Sequence, residues 1–175
     1  MKAILFAITA LSLSAPEAFA HASLEKGEAA QGSTYKAVVR IGHGCDGQAT
    51  NTLRVQIPEG VIAVKPMPKA GWELETVTST YETTYSYHGV PVTEGVTEII
   101  WAGGDLPDAW YDEFVFSARL TDALPVGSNV FFPVLQDCAD GSARWIEIPA
   151  EGQNPHDLRY PAPGVKITAP GHSGH

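Results

Sequence analysis

The sequence predicts an all-β fold, a single antiparallel β-sandwich of about nine short strands. Three observations carry that prediction. Helical periodicity is nearly absent. Apolar and polar residues alternate in short runs. Gly, Pro, Asp and Asn interrupt those runs at spacings typical of a sandwich or barrel.

Taken in order, Tyr35, Ala37, Val39 and Ile41 form the apolar face of the first strand. Leu53, Val55 and Ile57 form the second, which Pro58-Glu59-Gly60 turns. Val61–Val64 and Trp72–Tyr81 flank the loop Pro66–Gly71, and Thr83–Tyr87 and Val96–Trp101 follow. Glu113–Leu120 is the clearest strand, with Phe114, Phe116, Ala118 and Leu120 on one face. Asn129–Leu135 and Arg144–Ile148 complete the set. In the last of these, alternation puts Ile146 and Ile148 toward the core, with Trp145 and Glu147 on the other face.

The ends divide the chain. Met1-Lys2, an apolar run over Ala3–Leu13 and the small-residue exit Ala18-Phe19-Ala20 read as a secretory signal peptide over residues 1–20, cleaved after Ala20. Residues 21–160 form the sandwich. Residues 161–175, rich in Pro, Gly and His, read as a loose tail. After residue 20 no apolar stretch reaches membrane-spanning length, so no membrane anchor is expected. The formal charge of -9 comes with no basic cluster, which argues against nucleic acid and anionic membrane surfaces as partners. Cys45 and Cys138 are an even pair, read as one disulfide in an oxidising compartment. A thiolate metal site is the alternative.

Cleavage after Ala20 leaves His21 at the mature N-terminus, with a free α-amine and an imidazole on one residue. Both nitrogens can chelate one metal ion, and nitrogen with oxygen ligands favours Cu(II). The alternative is a cleavage point without chemical consequence. Glu113 is the sharpest carboxylate companion, because it points away from Phe114 and Phe116. Glu25, Glu28, Asp112 and Glu147 are rivals. Trp145, on its strand's polar face, invites a partner or a nearby site. His43, in His43-Gly44-Cys45, reads as a turn or core histidine, and His172 and His175 as weak metal collectors in the tail. The sequence has no GxSxG, HExxH, phosphate loop or dinucleotide fingerprint.

These segments together resemble the YcnI family of exported copper-binding domains. The resemblance runs over roughly residues 21–150. It is carried by His21-Ala22-Ser23-Leu24, by Val39–Gly47, and by Arg54-Val55-Gln56-Ile57-Pro58-Glu59-Gly60. Lys65-Pro66-Met67-Pro68 with Gly71-Trp72, Trp101–Gly104 with Leu106-Pro107, Asp112-Glu113-Phe114, and Gln136-Asp137-Cys138 with Gly141 and Trp145 complete it. It implies a cupredoxin- or immunoglobulin-like sandwich. It also implies a monohistidine brace holding one Cu(II) per chain, with His21 and Glu113 as ligands and Trp145 close to the metal. The function expected is a periplasmic copper-binding protein, not an enzyme, for acquisition, delivery or homeostasis. Its partners would be the copper ion and a periplasmic copper chaperone or membrane copper transporter. Two rivals stand beside it. One is a copper oxidase or monooxygenase with His43, His88 or His156 as a second ligand. The other is a metal-free adhesion or interaction sandwich.

Overall fold

In the computed structural model, which describes residues 21–170, the alternating runs become strands in three sheets. In chain order they are β1 (Ser23–Leu24), β2 (Glu28–Ala30), β3 (Thr34–Ile41), β4 (Thr50–Gln56), β5 (Val61–Pro66) and β6 (Glu73–Tyr87). Then come β7 (Val90–Leu106), β8 (Asp112–Leu120), β9 (Asn129–Phe131), β10 (Val134–Cys138), β11 (Ser142–Trp145) and β12 (Gly164–Thr168). One sheet has the order β1-β3-β8-β5, a second β11-β10-β4-β7-β6, and a small third β2-β12-β9. Pairing is antiparallel except between β2 and β12. The expected signal peptide lies outside the described residues, as do His172 and His175. No helix among the described residues is long and apolar enough to cross a membrane.

The core lies between the facing sheets, where the predicted faces meet. Tyr35, Ala37, Val39 and Ile41 of β3 and Phe114, Phe116, Ala118 and Leu120 of β8 pack against Leu53 and Val55 of β4 and Ile99 and Trp101 of β7. All are buried, and aromatic rings meet edge to face at Trp101–Phe114, 5.5 Å between centroids.

Four differences from the sequence expectation have physical causes. Trp72–Tyr81 and Thr83–Tyr87 fall within one long strand, β6, because a register shift between Thr80 and Tyr85 absorbs the irregularity. Asn129–Leu135 splits at Pro133, which has no N–H for a ladder. β9 then joins the small sheet and β10 the large one. The tail read over 161–175 is corrected in its first part. Gly164–Thr168 is a strand held between β2 and β9, with Val165 and Ile167 fully buried.

The facing of Arg144–Ile148 is also corrected. Trp145 is 3% exposed, whereas Ile148 is 60% exposed. Register decides it. Trp145 pairs with the fully buried Val134, whose other partner is the fully buried Val55, so the row points inward. The strand ends at Trp145, so alternation cannot be extended to the two isoleucines. Burying the larger indole also removes more apolar area from water than either isoleucine would.

Candidate metal centre

The site is built at the start of the described chain. Backbone pairing of Ser23 with Arg40 and Leu24 with Val39 fixes β1 on the edge of its sheet. Ala22 is buried beneath it, and His21 is carried to the sandwich rim, half-buried. Its ring lies 5.8 Å from Trp145, tilted by 56°, and 6.3 Å from His156, nearly parallel at 24°. Burial first, then the His156 and His43 imidazoles, holds the His21 ring below its usual pKa. The neutral ring, which has a lone pair to give, is therefore favoured at neutral pH.

Trp145 is the floor of this arrangement, and Gln136 fixes it. The Gln136 side chain is 1% exposed. Its Oε1 accepts from Trp145 Nε1 at 3.0 Å. Its Nε2 donates to the His43 carbonyl at 2.6 Å and to Thr50 Oγ1 at 2.7 Å. One amide therefore joins β10, β11, β4 and the turn after β3. His43 is the turn histidine expected. Its Nδ1 donates to the Gly44 carbonyl at 2.6 Å, and its ring meets Trp145 edge-on at 6.0 Å. Tyr160 covers the indole from another side at 5.3 Å. Gln136→Leu keeps the bulk but strands buried polar groups on three neighbours. We expect a loss of about 2–4 kcal/mol in unfolding free energy, read as a lower urea midpoint with unchanged slope.

The Cys45–Cys138 disulfide closes the same corner, with 6.0 Å between the Cα atoms. It ties the turn carrying His43 to the end of β10, two residues from Gln136. Both cysteines are thus consumed, and the thiolate alternative falls.

An open groove of about 650 Å³ begins at His21. Asn129, Phe131, Glu151, Gln153 and His156 are among the residues that line it. His156 sits in a 3-10 turn, Pro155–Asp157, whose cap Asn154 accepts from the His156 backbone N–H at 3.0 Å.

Glu113 is in a cross-strand row with Arg40 and Ser23, on the face of β8 opposite Phe114, as expected. Its carboxylate accepts from the Tyr111 hydroxyl and faces Arg40 Nε at 3.7 Å, an ion pair rather than a hydrogen bond. Among the rivals, Asp112 is held by Lys69 at 2.6 Å, Glu25 faces Arg40 at 3.5 Å, and Glu147 accepts from the Tyr160 backbone N–H. Glu28 is exposed on β2. His88 lies at the β6–β7 hairpin tip against Tyr87. Among the described residues, no three His, Cys, Asp or Glu side chains gather closely enough to hold a metal. The structure thus brings together His21, Trp145, His43 and His156. It does not bring Glu113 into such a group. Sequence reading did not single out Gln136 as the residue orienting Trp145, and a lone buried glutamine has no pattern by which to find it.

No curated protein sequence matches the chain. Among solved structures it is similar to the crystal structure of an uncharacterized protein from Nocardia farcinica, described as revealing an immunoglobulin-like fold. That match has a TM-score of 0.62 and 22% identity, covering 85% of this chain and 99% of that one. The sandwich is therefore immunoglobulin-like. A family model described as a domain of unknown function, DUF1775, matches residues 21–167. The chain thus belongs to the DUF1775 family, the family to which the YcnI resemblance points.

Proposed function

We propose that the processed protein binds one Cu(II) in the periplasm, for copper acquisition, delivery or homeostasis. The observation that carries this reading is the seat of His21, half-buried on Trp145 and at the mouth of an open groove. A family match that starts at His21 supports cleavage at that residue. In the uncleaved chain the His21 nitrogen is an amide. Cleavage turns it into an amine, a second donor on the residue whose imidazole is already held neutral.

The donor chemistry fits. Neutral nitrogen with carboxylate oxygen suits Cu(II). The indole Nε1 has no lone pair to donate and is already bonded to Gln136, so Trp145 supports and shields rather than ligates. Glu113 is the oxygen donor of this reading. Its present partners hold it loosely, since an ion pair this exposed is worth at most about 1 kcal/mol. Ligation would exchange the Arg40 and Tyr111 contacts for the ion. An open groove leaves a copper-exchange partner room to approach, which delivery requires.

The test is a Cu(II) titration of protein that begins at His21, followed by tryptophan fluorescence and spin resonance. Glu113→Gln should lower affinity about tenfold or more, the scale of losing one donor from a chelate, and alter the spin-resonance parameters. Unchanged binding in Glu113→Gln would remove Glu113 from the site.

A second reading, a copper redox enzyme, is favoured by the presence of His156 beside His21. Copper-dependent oxygen uptake with ascorbate, stimulated by a substrate, would support it over a binding protein.

A further inference from the structure

The segment between β11 and β12 forms an Ω-like loop, closed at its base by Glu147. The Glu147 N–H donates to the Tyr160 carbonyl at 3.0 Å, and its own carbonyl accepts from Ala162 at 2.8 Å. Its carboxylate accepts from the Tyr160 N–H. The base rests on the indole through Tyr160. Within the loop, Ala150 and Gln153 bond each other in both directions, at 3.0 Å each. Asn154 then caps the turn that presents His156. A loop this self-bonded, with its ends together, is a compact surface unit of a kind often used for function.

The loop presents one imidazole, beside Glu151 and Gln153, which line the same groove. The His156 side chain makes no hydrogen bond among the described residues, and its aromatic neighbour is the His21 ring. An imidazole bound to a metal at about 2 Å has its ring centre about 3 Å from the ion. Two rings on one ion therefore have centres up to about 6 Å apart. The observed separation is 6.3 Å, with the ring planes within 24° of parallel. This is just beyond that limit, so a small shift of the exposed loop would place both rings on opposite sides of one ion. His43 is placed differently. Its Nδ1 is engaged with Gly44, and its ring meets the indole rather than His21.

We infer that His156 is a second imidazole ligand, delivered by the 148–160 loop to the ion held at His21. This rests on the copper reading above and selects His156 from the three histidines that the sequence left open as a second ligand. The site would then span two segments, the mature N-terminus and a loop near the other end of the chain.

The experiment uses processed protein with one equivalent of Cu(II), and pulsed spin resonance to count coupled imidazoles. Two are expected in the native protein, one in His156→Gln and two in His43→Gln. Competition with a chelator should show affinity about tenfold or more weaker in His156→Gln alone. One imidazole in native protein, unchanged in His156→Gln, overturns this inference and leaves the copper reading standing. Loss of the second imidazole in His43→Gln instead also overturns it. Absence of copper binding in correctly processed, folded protein overturns both. His156 is exposed, so circular dichroism should show the variant folded, and a binding loss can be read as ligand loss.

Discussion

Protein beginning at His21 is expected to bind Cu(II) at least about a hundredfold more tightly than the same protein acetylated at its His21 amine. The argument is chelation. The amine and imidazole of one residue reach the ion together, so once one is bound the other acts at high effective concentration. Acetylation converts the amine into an amide with no neighbouring amine to anchor its deprotonation, and the ring must then bind alone or with weaker help. The fold should not register the change, because β1 pairing starts at Ser23. Thermal unfolding of the two metal-free forms should therefore coincide while their copper titrations diverge. Equal copper affinity would reject a site built on the His21 amine.

Removing the disulfide is expected to have the second large effect, this time on the fold. Cys45 and Cys138 are 93 residues apart. Closing a loop of that length restricts the unfolded chain by about 4–5 kcal/mol in the entropic account. Replacing both cysteines by alanine should lower the unfolding free energy by about 3–5 kcal/mol, measured by urea denaturation without reductant. The change also releases the turn carrying His43, whose carbonyl accepts from Gln136 Nε2. Trp145 fluorescence in the folded variant should then shift, reporting a looser indole. A stability loss below about 1 kcal/mol would mean that the surrounding packing alone holds this corner.

The outline of the sandwich was legible because the core-facing sides of β3 and β8 follow period-two spacing, even though Val38 and Val115 on the other side are buried too. Phe114, Phe116, Ala118 and Leu120, like Tyr35 to Ile41, point where period-two spacing sends them. Reading failed where a strand stopped. Alternation extended through Ile146 and Ile148 is blind to the strand end at Trp145, and only pairing with Val134 reveals it. The strand Gly164–Thr168 was hidden for a related reason. Its flanking Pro and Gly residues signal a loop, and its partners β2 and β9 are far away in sequence. His21 and Trp145 were marked by leader chemistry and family resemblance. Their closeness, with that of His156, depends on tertiary contacts that no local pattern encodes. Gln136 is the extreme case, since its role consists wholly of partners drawn from three other segments.

The packing of His21 on Trp145 joins segments more than a hundred residues apart in the chain. Under the export and copper binding proposed above, a chain crossing N-terminus first would present His21, with the nearby β3 that holds β1, before Trp145 and His156. A selective seat would then exist only once β10, β11 and the 148–160 loop have docked, so closure of the sandwich would act as a checkpoint before stable loading.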